Sequence, residues 1–466
     1  MAKVKQLFGT DGIRGVAGES PLDEKTVFLI GKALGRNLAR LHPPGDTASR
    51  VVIGEDTRES SRWIAETIAA GLADEGVEVH SAGVITTPGV AFLTRTDSFV
   101  AGVMISASHN PFQDNGIKVF GHSGYKLPDD LEHEVEAEIF RLQESHREIT
   151  PPVAPQSPGL QPEKSFAERY EDFLASLLPG KKPFEGMRIV MDCGNGAASE
   201  LGPRLFRRLG ADVEVMNATP DGRNINLDCG SLHLDKLQAR LAANPSPHGA
   251  TFGAAFDGDA DRCLFVAGGG ELVNGDGVLL LAARSMKAQG ALKNNLVIAT
   301  VMSNLGLENA LKHEGIAMTR TPVGDKYVLE EMLRSGSNLG GEQSGHVIFS
   351  DQQSTGDGLL TALRVAEIVA ESGQPLAELA HGMKTYPQEI RNLKVKSKPP
   401  LSTLPAVTAA IESSERDLGE RGRVLVRYSG TEHLVRIMVE AEESSMVKRH
   451  VDALAAVLTK ELGAAQ

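Results

Sequence analysis

Short apolar runs along the chain alternate with segments whose apolar residues recur at helical spacing. Three strand-like runs, "RVVIGEDTR" from residue 50, "MRIVMDCGNG" from residue 187 and "NLVIATVMSN" from residue 295, each lead into a polar turn. Each is followed by a helical pattern that ends at a glycine, and then by a second strand-like run such as "DEGVEVHSAG". Strands that alternate with helices predict parallel sheets with crossover helices.

The first of these helices is clearly patterned. Within "SSRWIAETIAAGLADEG", the residues Ile64, Ile68 and Leu72 recur at four-residue spacing and therefore share one face of a helix. Ser60 stands where an N-cap residue is expected. We predict a helix that begins after Ser60 and buries this face.

A third apolar element in each copy ends in an unusual polar loop. The three elements with their loops are "VAGVMISASHNP", "ATFGAAFDGDADR" and "SNLGGEQSGH". We interpret the copies as one α/β unit repeated three times, although the spacings between them differ. Ligands bind to open α/β sheets where loops leave the carboxyl ends of strands, so we expect the three loops to converge on one cleft.

Two proline-rich segments predict linkers. They are residues 151–162, "PPVAPQSPGLQP", and residues 396–405, "KSKPPLSTLP", and few helices or sheets would accommodate them. A single core stops growing near roughly 250–300 residues, and this chain has 466. Its length predicts about three domains, or four.

Composition narrows the classes of function. The formal net charge of -13 argues against nonspecific binding of nucleic acid, and it means that an anionic substrate needs a locally basic site. Cys193, Cys229 and Cys263 stand far apart and predict neither a disulfide framework nor a structural zinc site. The sequence has no apolar signal core and no apolar stretch of membrane length. We therefore expect a cytoplasmic protein without a membrane partner.

The segment "DGDADR" carries the sharpest chemical signal. Asp257, Asp259 and Asp261 alternate, so in an extended backbone they project to the same side. Three crowded carboxylates repel one another unless a cation neutralises them, and a hard divalent ion such as Mg²⁺ does so with oxygen ligands. The alternative is an acidic surface turn, against which the apolar runs on both sides argue.

In the loop "SASHNP", Ser106 and Ser108 are candidate nucleophiles beside His109. The alternative is a serine-rich turn with a structural role only. Lys118 follows in "DNGIK"; it could pair with a phosphate or take part in proton transfer, or be a solvated lysine at a strand end. The sequence has neither a Gly-x-Ser-x-Gly elbow nor a Walker-type phosphate loop. Their absence argues against a serine hydrolase of that type and against a nucleotide-driven kinase.

The loop "GGEQSGH" has polar side chains at alternate positions, Glu342, Ser344 and His346. In an extended loop they would lie on one side and suit vicinal sugar hydroxyls. The alternative is a glycine-rich turn with a core histidine.

Two further loops contain candidate anion-binding residues. The segment "RYSGTEHLVR" combines an arginine fork, hydroxyls and free backbone N–H groups, which together make an anion site, in Arg427, Ser429, Gly430 and Thr431. The alternative is a hairpin turn with incidental arginines. In "FGTDGIRG", Arg14 stands among glycines whose spacing does not match the dinucleotide fingerprint.

Taken together, these loops resemble those of the α-D-phosphohexomutase superfamily, most closely of its branch that acts on glucosamine phosphate. "FGTDGIRG", "SASHNPFQDNGIKVF", "DGDADR", "GGEQSGH", "TGDGLLTAL" and "RYSGTEH" occur in the family order over nearly the whole chain. The resemblance implies an α/β fold of four domains around a central cleft, three of them built on one α/β unit. We predict these three at residues 1–150, 163–256 and 257–372, and a smaller C-terminal α+β domain with a phosphate loop at residues 380–466.

The resemblance also implies roles for the carrier and metal loops. Ser108 would be the phosphoserine, and Ser106 would be structural. Mg²⁺ would be held by a phosphoserine oxygen of Ser108 together with Asp257, Asp259 and Asp261.

The remaining loops would bind the sugar phosphate. Glu342 and Ser344 would contact sugar hydroxyls, and the phosphate that is not transferred would be bound by Arg427, Ser429, Gly430 and Thr431. Arg14 and Lys118 would lie by the phosphoserine, and Lys118 or His346 would move protons.

Two residues depart from the usual family pattern. Lys326 in "TPVGDK" replaces a frequent arginine, so its contact with substrate phosphate is expected to be weaker or monodentate. His433 stands where proline is usual after "GTE", which would reshape the far side of the phosphate loop.

The activity implied is the reversible conversion of glucosamine 6-phosphate to glucosamine 1-phosphate through a phosphoserine and glucosamine 1,6-bisphosphate. That bisphosphate, or glucose 1,6-bisphosphate, is expected as the activator, and the product would feed the synthesis of UDP-N-acetylglucosamine and cell-wall precursors. Gln343 favours this activity over the alternative, a mutase of glucose or mannose phosphates. The oligomeric state is open, with a homodimer as one expectation.

Two alternatives of other classes are a phosphatase and an inactive sensor of sugar phosphates. A second phosphate loop argues against a phosphatase, which need not hold an intermediate. A nucleophile with three aspartates argues against a sensor, which has no need of one.

Overall fold

The structure is a computed structural model that describes residues 7–9, 11–38, 41, 49–145, 160–243, 251–429 and 433–463. The chain divides into two compact units, one of residues 1–302 and 318–381 and the other of residues 303–317 and 382–466. The larger unit holds sheets of six, five and four strands, and the smaller unit holds a sheet of three.

The first sheet has the strand order β1-β2-β6-β5-β3-β4. Its strands are β1 (Phe8–Gly9), β2 (Gly12–Val16), β3 (Arg50–Glu55), β4 (Glu78–Val84), β5 (Ala101–Ile105) and β6 (Asp114–Gly121). The helices of this region are α1 (Glu24–Asn37), α2 (Ser61–Ala73), α3 (Thr87–Thr96) and α4 (Asp129–Glu144). Strand β3 is parallel to β4 and β5, whereas β6 is antiparallel to β5 and β2.

The second sheet has the strand order β11-β10-β9-β7-β8. Its strands are β7 (Arg188–Asp192), β8 (Asp212–Met216), β9 (Thr251–Phe256), β10 (Cys263–Ala267) and β11 (Leu272–Val273). The helices are α5 (Lys164–Ser176), α6 (Ala198–Arg208) and α7 (Asp235–Ala242). Strand β7 is parallel to β8 and β9, and β10 is antiparallel to β9.

The third sheet has the strand order β13-β12-β14-β15. Its strands are β12 (Leu296–Thr300), β13 (Ala317–Thr321), β14 (Leu339–Gly341) and β15 (Val347–Phe349). The helices along this part of the chain are α8 (Gly275–Ala288), α9 (Leu305–His313), α10 (Asp325–Ser335), α11 (Gly358–Ser372) and α12 (Leu376–Leu379). Strand β14 is parallel to β12 and antiparallel to β15.

The fourth sheet has the order β16-β18-β17 and is antiparallel throughout. It is formed by β16 (Gln388–Lys394), β17 (Gly422–Tyr428) and β18 (Leu434–Ala441), with the helices α13 (Pro405–Leu418) and α14 (Ser444–Leu462). A separate core of buried apolar residues fills this unit.

The predicted repeat is confirmed by the topology of the first three sheets. Each contains the same order of four strands, β4-β3-β5-β6, β8-β7-β9-β10 and β13-β12-β14-β15. In each, the third strand along the chain runs into a loop and returns as an antiparallel neighbour. The predicted parallel pairing occurs in every copy, and the return adds an antiparallel strand to each. The three polar loops stand at the same place in each copy.

The helix α2 begins directly after Ser60 and buries the face that the sequence predicts. Ile64, Ile68 and Leu72 are fully buried, and Ser60 is the N-cap residue. The hydroxyl of Ser60 makes no capping hydrogen bond and instead accepts one from the side chain of Asn115 at 2.8 Å.

Only one of the two predicted linkers can be compared with the structure. Residues 151–159 of the first lie outside the described part of the chain. Residues 396–405 do not separate domains, because β16 precedes them and pairs with β18 after them. The second sheet also continues past residue 257 through β10 and β11. We therefore propose a boundary between the second and third domains near residue 274, which keeps both sheets whole.

Within the described ranges, no helix combines the length and the apolar character that a membrane crossing requires.

Candidate active site

The loop after β5 holds Ser108 in an unusual backbone conformation. Ser108 has a φ of 55°, a left-handed value that is uncommon for a residue other than glycine. Its side chain is buried, and its hydroxyl donates a hydrogen bond to Oδ2 of Asp257 at 2.6 Å. The strand β5 ends at Ile105, three residues before Ser108. The conformation of the loop therefore sets the direction of the Ser108 hydroxyl.

Nδ1 of His109 is the second polar atom close to the Ser108 hydroxyl, at 3.2 Å. Burial, followed by the charges of Arg262 and Arg14, lowers the pKa of His109 to about 4. The imidazole is therefore neutral near pH 7.

The three aspartates of "DGDADR" converge as predicted, but not for the reason given above. They lie in a turn rather than an extended segment: the N–H of Ala260 donates to the carbonyl oxygen of Asp257 at 3.1 Å, and Ala260 has a φ of 52°. One carboxylate oxygen from each of Asp257, Asp259 and Asp261 lies within 4.8 Å of the other two. All three side chains are buried.

The electrostatics of this cluster fit a divalent cation. Burial, with the charges of Asp261 and Asp259, raises the pKa of Asp257 well above its usual range. Oδ1 of Asp259 is buried and has no hydrogen-bond partner among the described residues. Buried charged oxygens without partners are costly, and three carboxylates are the oxygen donors that Mg²⁺ prefers. The donor set therefore suits Mg²⁺.

Lys118 lies in the middle of β6 and is buried, so the interpretation of a solvated lysine at a strand end is wrong. Its Nζ lies 2.8 Å from Asp259, 3.2 Å from Asp11 and 3.3 Å from Asp261. Burial would lower the pKa of Lys118, but these three carboxylates raise it well above its usual value. Lys118 therefore places an ammonium group beside the aspartate cluster.

Arg14, in β2, approaches the loop of residues 106–111, which contains Ser108. Its guanidinium donates to the carbonyl oxygen of Ala107 at 3.3 Å and pairs with Asp11. Asp11 also pairs with Lys126. Burial would raise the pKa of Asp11, but Lys118, Lys126 and Arg14 hold it below its usual range.

The loop "GGEQSGH" is a turn between β14 and β15, in which the N–H of Gly345 donates to the carbonyl oxygen of Glu342 at 3.0 Å. Oε1 of Glu342 accepts the N–H of Gly324 at 3.1 Å. Ser344 is partly exposed. The side chain of Gln343 donates to Oδ2 of Asp276 at 3.1 Å. The extended geometry expected for this loop is therefore wrong, although its polar groups remain close together.

His346 links the third copy of the α/β unit to the aspartate cluster. Its Nδ1 lies 3.7 Å from Oδ1 of Asp261, and its Nε2 accepts the backbone N–H of Gly356 at 3.1 Å. Burial would lower the pKa of His346, but the carboxylates of Asp261, Asp325 and Glu342 raise it above its usual value.

Lys326, at the start of α10, is engaged elsewhere. Its Nζ lies 2.5 Å from Oδ1 of Asp129 and 4.0 Å from Oε1 of Glu330. A phosphate contact from Lys326 would compete with the ion pair to Asp129.

The candidate anion loop belongs to the smaller unit. Arg427 in β17 stands directly opposite Arg436 in β18, and the carbonyl oxygen of Ser429 accepts a hydrogen bond from Lys398 at 2.7 Å. Gly430 and Thr431 lie outside the described residues. His433 is exposed, and its carbonyl oxygen accepts the N–H of Val395 at 2.8 Å. Two opposed arginines and a lysine give this end of the sheet a local positive charge.

Four residues of the site were missed by the sequence analysis. Asp11 belongs to the motif "FGTDGIRG" and Arg262 to "DGDADR". Their places in these motifs could have identified them as site residues. The N–H of Arg262 donates to Oδ1 of Asp257 at 3.1 Å, and its Nε lies 3.8 Å from Asp261. Thr87, which donates to Oδ2 of Asp259, and Lys126 had no comparable signal.

Four family models match the chain in order. They are the phosphoglucomutase/phosphomannomutase α/β/α domains I, II and III, at residues 5–146, 168–270 and 274–386, and the C-terminal domain of the same family at residues 391–457.

The chain is similar to curated proteins over almost its whole length. A phosphoglucosamine mutase from Solibacter usitatus is 55% identical over 98% of this chain and 99% of the relative. A phosphoglucosamine mutase from Koribacter versatilis is 54% identical over 99% of this chain and 98% of the relative.

Solved structures share the fold. A phosphoglucomutase/phosphomannomutase family protein from Burkholderia thailandensis has a TM-score of 0.77 at 24% identity, over 97% of each chain. An Aspergillus fumigatus N-acetylphosphoglucosamine mutase, solved in complex with GlcNAc-6P and magnesium, has a TM-score of 0.60 at 19% identity over 98% of this chain and 96% of its own.

Proposed function

Because the chain belongs to the phosphoglucomutase/phosphomannomutase family, we propose that it interconverts glucosamine 6-phosphate and glucosamine 1-phosphate. Relatives named phosphoglucosamine mutase, at 55% and 54% identity over nearly full length, support this substrate. The observation that carries the chemistry is the buried hydroxyl of Ser108, 2.6 Å from one of three clustered aspartates.

Ser108 is the phosphate carrier in this proposal. The P–O bond to Oγ of phosphorylated Ser108 breaks, and a P–O bond to the free hydroxyl oxygen of the sugar phosphate forms, giving glucosamine 1,6-bisphosphate. The sugar hydroxyl gives up its proton in this step, and the serine regains one. After the bisphosphate turns around, Oγ takes the other phosphate, so that phosphate is moved from C6 to C1 without net consumption.

Mg²⁺ would be held by Asp257, Asp259 and Asp261 together with the phosphorylated Ser108. When bound, the ion neutralises charge on the oxygens of the transferring phosphoryl group. The turn that gathers the aspartates fixes these donors in place before the substrate binds.

Residues 106–111, which contain Ser108, are called the carrier loop from here on. Lys118 and Arg14 are proposed to stabilise negative charge beside it. The ammonium group of Lys118 lies 2.8 Å from Asp259, beside the carrier loop, where it can stabilise charge or move a proton. His346 is the second candidate for moving a proton, through the Nδ1 that faces Asp261.

Substrate recognition is assigned to two groups of residues. Glu342 and Ser344 are proposed to contact sugar hydroxyls, with Lys326 as a phosphate contact that must exchange its bond to Asp129. The phosphate that is not transferred is proposed to bind to Arg427, Ser429, Gly430 and Thr431.

The proposal includes glucosamine 1,6-bisphosphate or glucose 1,6-bisphosphate as the activator that first phosphorylates Ser108. It also includes a cytoplasmic location, a homodimer, and a product that feeds UDP-N-acetylglucosamine synthesis.

A comparison of rates on glucosamine, glucose and mannose 6-phosphates tests the substrate. We expect the highest kcat/KM on glucosamine 6-phosphate. A higher kcat/KM on glucose or mannose 6-phosphate would show that the protein is instead a mutase of glucose or mannose phosphates. Gln343 offers little guidance here, because its amide is bonded to Asp276.

A further inference from the structure

Two side chains from different parts of the chain bond to the same two carbonyl groups of the carrier loop. The guanidinium of Arg58 donates to the carbonyl oxygen of Ser108 at 2.9 Å and to that of Asn110 at 2.8 Å. The side-chain amide of Asn226 donates to the same oxygens at 2.9 Å and 3.2 Å. We call these two side chains the carbonyl clamp.

Arg58 is itself held rigidly. Its side chain is fully buried, and its Nε lies 2.9 Å from Oδ2 of Asp56, which is fully buried too. The same Asp56 oxygen accepts the hydroxyl of Ser106 at 2.7 Å, and that hydroxyl accepts the N–H of Ser108 at 2.9 Å. Both backbone polar groups of Ser108 therefore bond to one buried network, which gives the structural role of Ser106 a physical basis.

Asn226 comes from a loop that follows β8, in the second α/β repeat. It is nearly buried and has a φ of 57°. Its neighbour across the loop is Gly258 of the aspartate turn, where an added Cβ would lie 3.0 Å from the amide nitrogen of Asn226 and 2.5 Å from the carbonyl oxygen of Ser108. The clamp thus stands where the carrier loop meets the metal-binding turn.

The left-handed conformation of Ser108 costs free energy and persists only where its surroundings enforce it. The carbonyl oxygens of Ser108 and Asn110 face the same two donors. Their partial negative charges would repel each other if those donors were absent. A guanidinium with a planar fork of donors bridges two oxygens in a way that a lysine ammonium does not.

We infer that Arg58 and Asn226 are positioning residues for phosphoryl transfer. They hold the backbone of Ser108 in the conformation that aims its Oγ at Asp257, and they act through the carrier loop rather than on the substrate. The inference rests on the proposed function of Ser108 and adds two residues to it.

Asn226→Gly is the sharpest test. Glycine adopts the same positive φ without strain, so the substitution deletes the amide donor and keeps the backbone. Asn294→Gly is the matched control, because Asn294 is also left-handed, at φ 57°, and its side-chain amide donates to a backbone carbonyl oxygen that is not in the Ser108 loop, that of Ser335 at 2.9 Å.

We expect Asn226→Gly to lower kcat by about 10- to 100-fold, as a displaced nucleophile does, with KM for the sugar phosphate unchanged. The rate at which glucose 1,6-bisphosphate phosphorylates Ser108, followed by intact-protein mass, should fall in parallel. Asn294→Gly should retain both rates. Arg58→Lys, which keeps the charge opposite Asp56, should reproduce the loss of kcat in a folded protein.

Retention of the wild-type kcat and phosphorylation rate by Asn226→Gly would overturn the proposed role of the clamp, as would equal losses in Asn294→Gly. A rise in KM without a fall in kcat would also overturn it, since it would place Asn226 on the substrate. Absence of turnover in the wild-type protein would instead refute the proposed function, so the two failures are distinguishable.

Discussion

Replacing Gly258 with alanine should slow phosphoryl transfer in a protein that remains folded. A Cβ on Gly258 would lie 2.5 Å from the carbonyl oxygen of Ser108 and 2.8 Å from Cδ1 of Ile225. Carbon and carbonyl oxygen normally approach to about 3.3 Å, so the carrier loop and the aspartate turn would separate by about 0.8 Å. The carbonyl oxygen of Ser108 is a backbone atom, so it cannot rotate away from the new Cβ as a side-chain atom could.

A displacement of about 1 Å can cost about 100-fold in rate, which corresponds to about 2.7 kcal/mol of transition-state stabilisation. We therefore expect kcat of Gly258→Ala to fall by about 30- to 100-fold. Overpacking of this kind costs about 1–3 kcal/mol of stability, which lowers the midpoint of thermal unfolding without abolishing the fold.

The assay is the steady-state formation of glucosamine 1-phosphate, with thermal unfolding measured in parallel. Gly253→Ala is the matched control, because it makes the same substitution in β9 and overpacks Leu237 and Leu241 at 2.8 Å, away from Ser108. It should lower the unfolding midpoint and retain kcat. Wild-type kcat in Gly258→Ala, or an equal loss in Gly253→Ala, would refute the reasoning.

Three other substitutions have definite expected outcomes. Asp259→Asn should remove most of kcat and the Mg²⁺-dependent rise in the unfolding midpoint with the fold intact; an unchanged rate and Mg²⁺ dependence would contradict the metal assignment. Lys118→Met removes the ammonium group that pairs with the buried carboxylates of Asp259 and Asp261, so denaturant unfolding should show a loss of about 3–5 kcal/mol, whereas an unchanged stability would contradict the buried ion-pair cluster. Tyr170→Phe removes a buried hydrogen bond of 2.6 Å to Asp357 and should lower the unfolding free energy by about 1–3 kcal/mol at unchanged kcat; a fall in kcat would show that this bond supports the active site.

The repeat and its three loops could be predicted because they depend on residue patterns that are local in the sequence. Strand-length apolar runs and four-residue helical spacing identify the copies, and polar residues at the end of a strand identify the loops. The three strand orders then match one another in the structure. What failed was local geometry: the aspartates meet through a turn with Ala260 at φ 52° and not through alternation along a strand.

The surroundings of the site were beyond prediction from a single sequence. Lys118 looked like a strand-end residue because only the pairing of β6 with β5 and β2 shows that it lies in the middle of a sheet. Arg58 and Asn226 bond to backbone carbonyls far away along the chain. Carbonyl groups occur at every residue, so such contacts leave no trace in residue type or spacing.

The fate of the phosphoryl group on Ser108 tests the central claim most directly. Protein phosphorylated at Ser108 is mixed with one equivalent of glucosamine 6-phosphate and Mg²⁺, and the products are followed by ³¹P NMR and intact-protein mass. We predict that the phosphoryl group leaves Ser108 and appears in glucosamine 1,6-bisphosphate and then in glucosamine 1-phosphate, and that Ser108→Ala carries no phosphoryl group and has no turnover. Release of the phosphoryl group from Ser108 as inorganic phosphate, or normal turnover by Ser108→Ala, would contradict the proposed mutase mechanism.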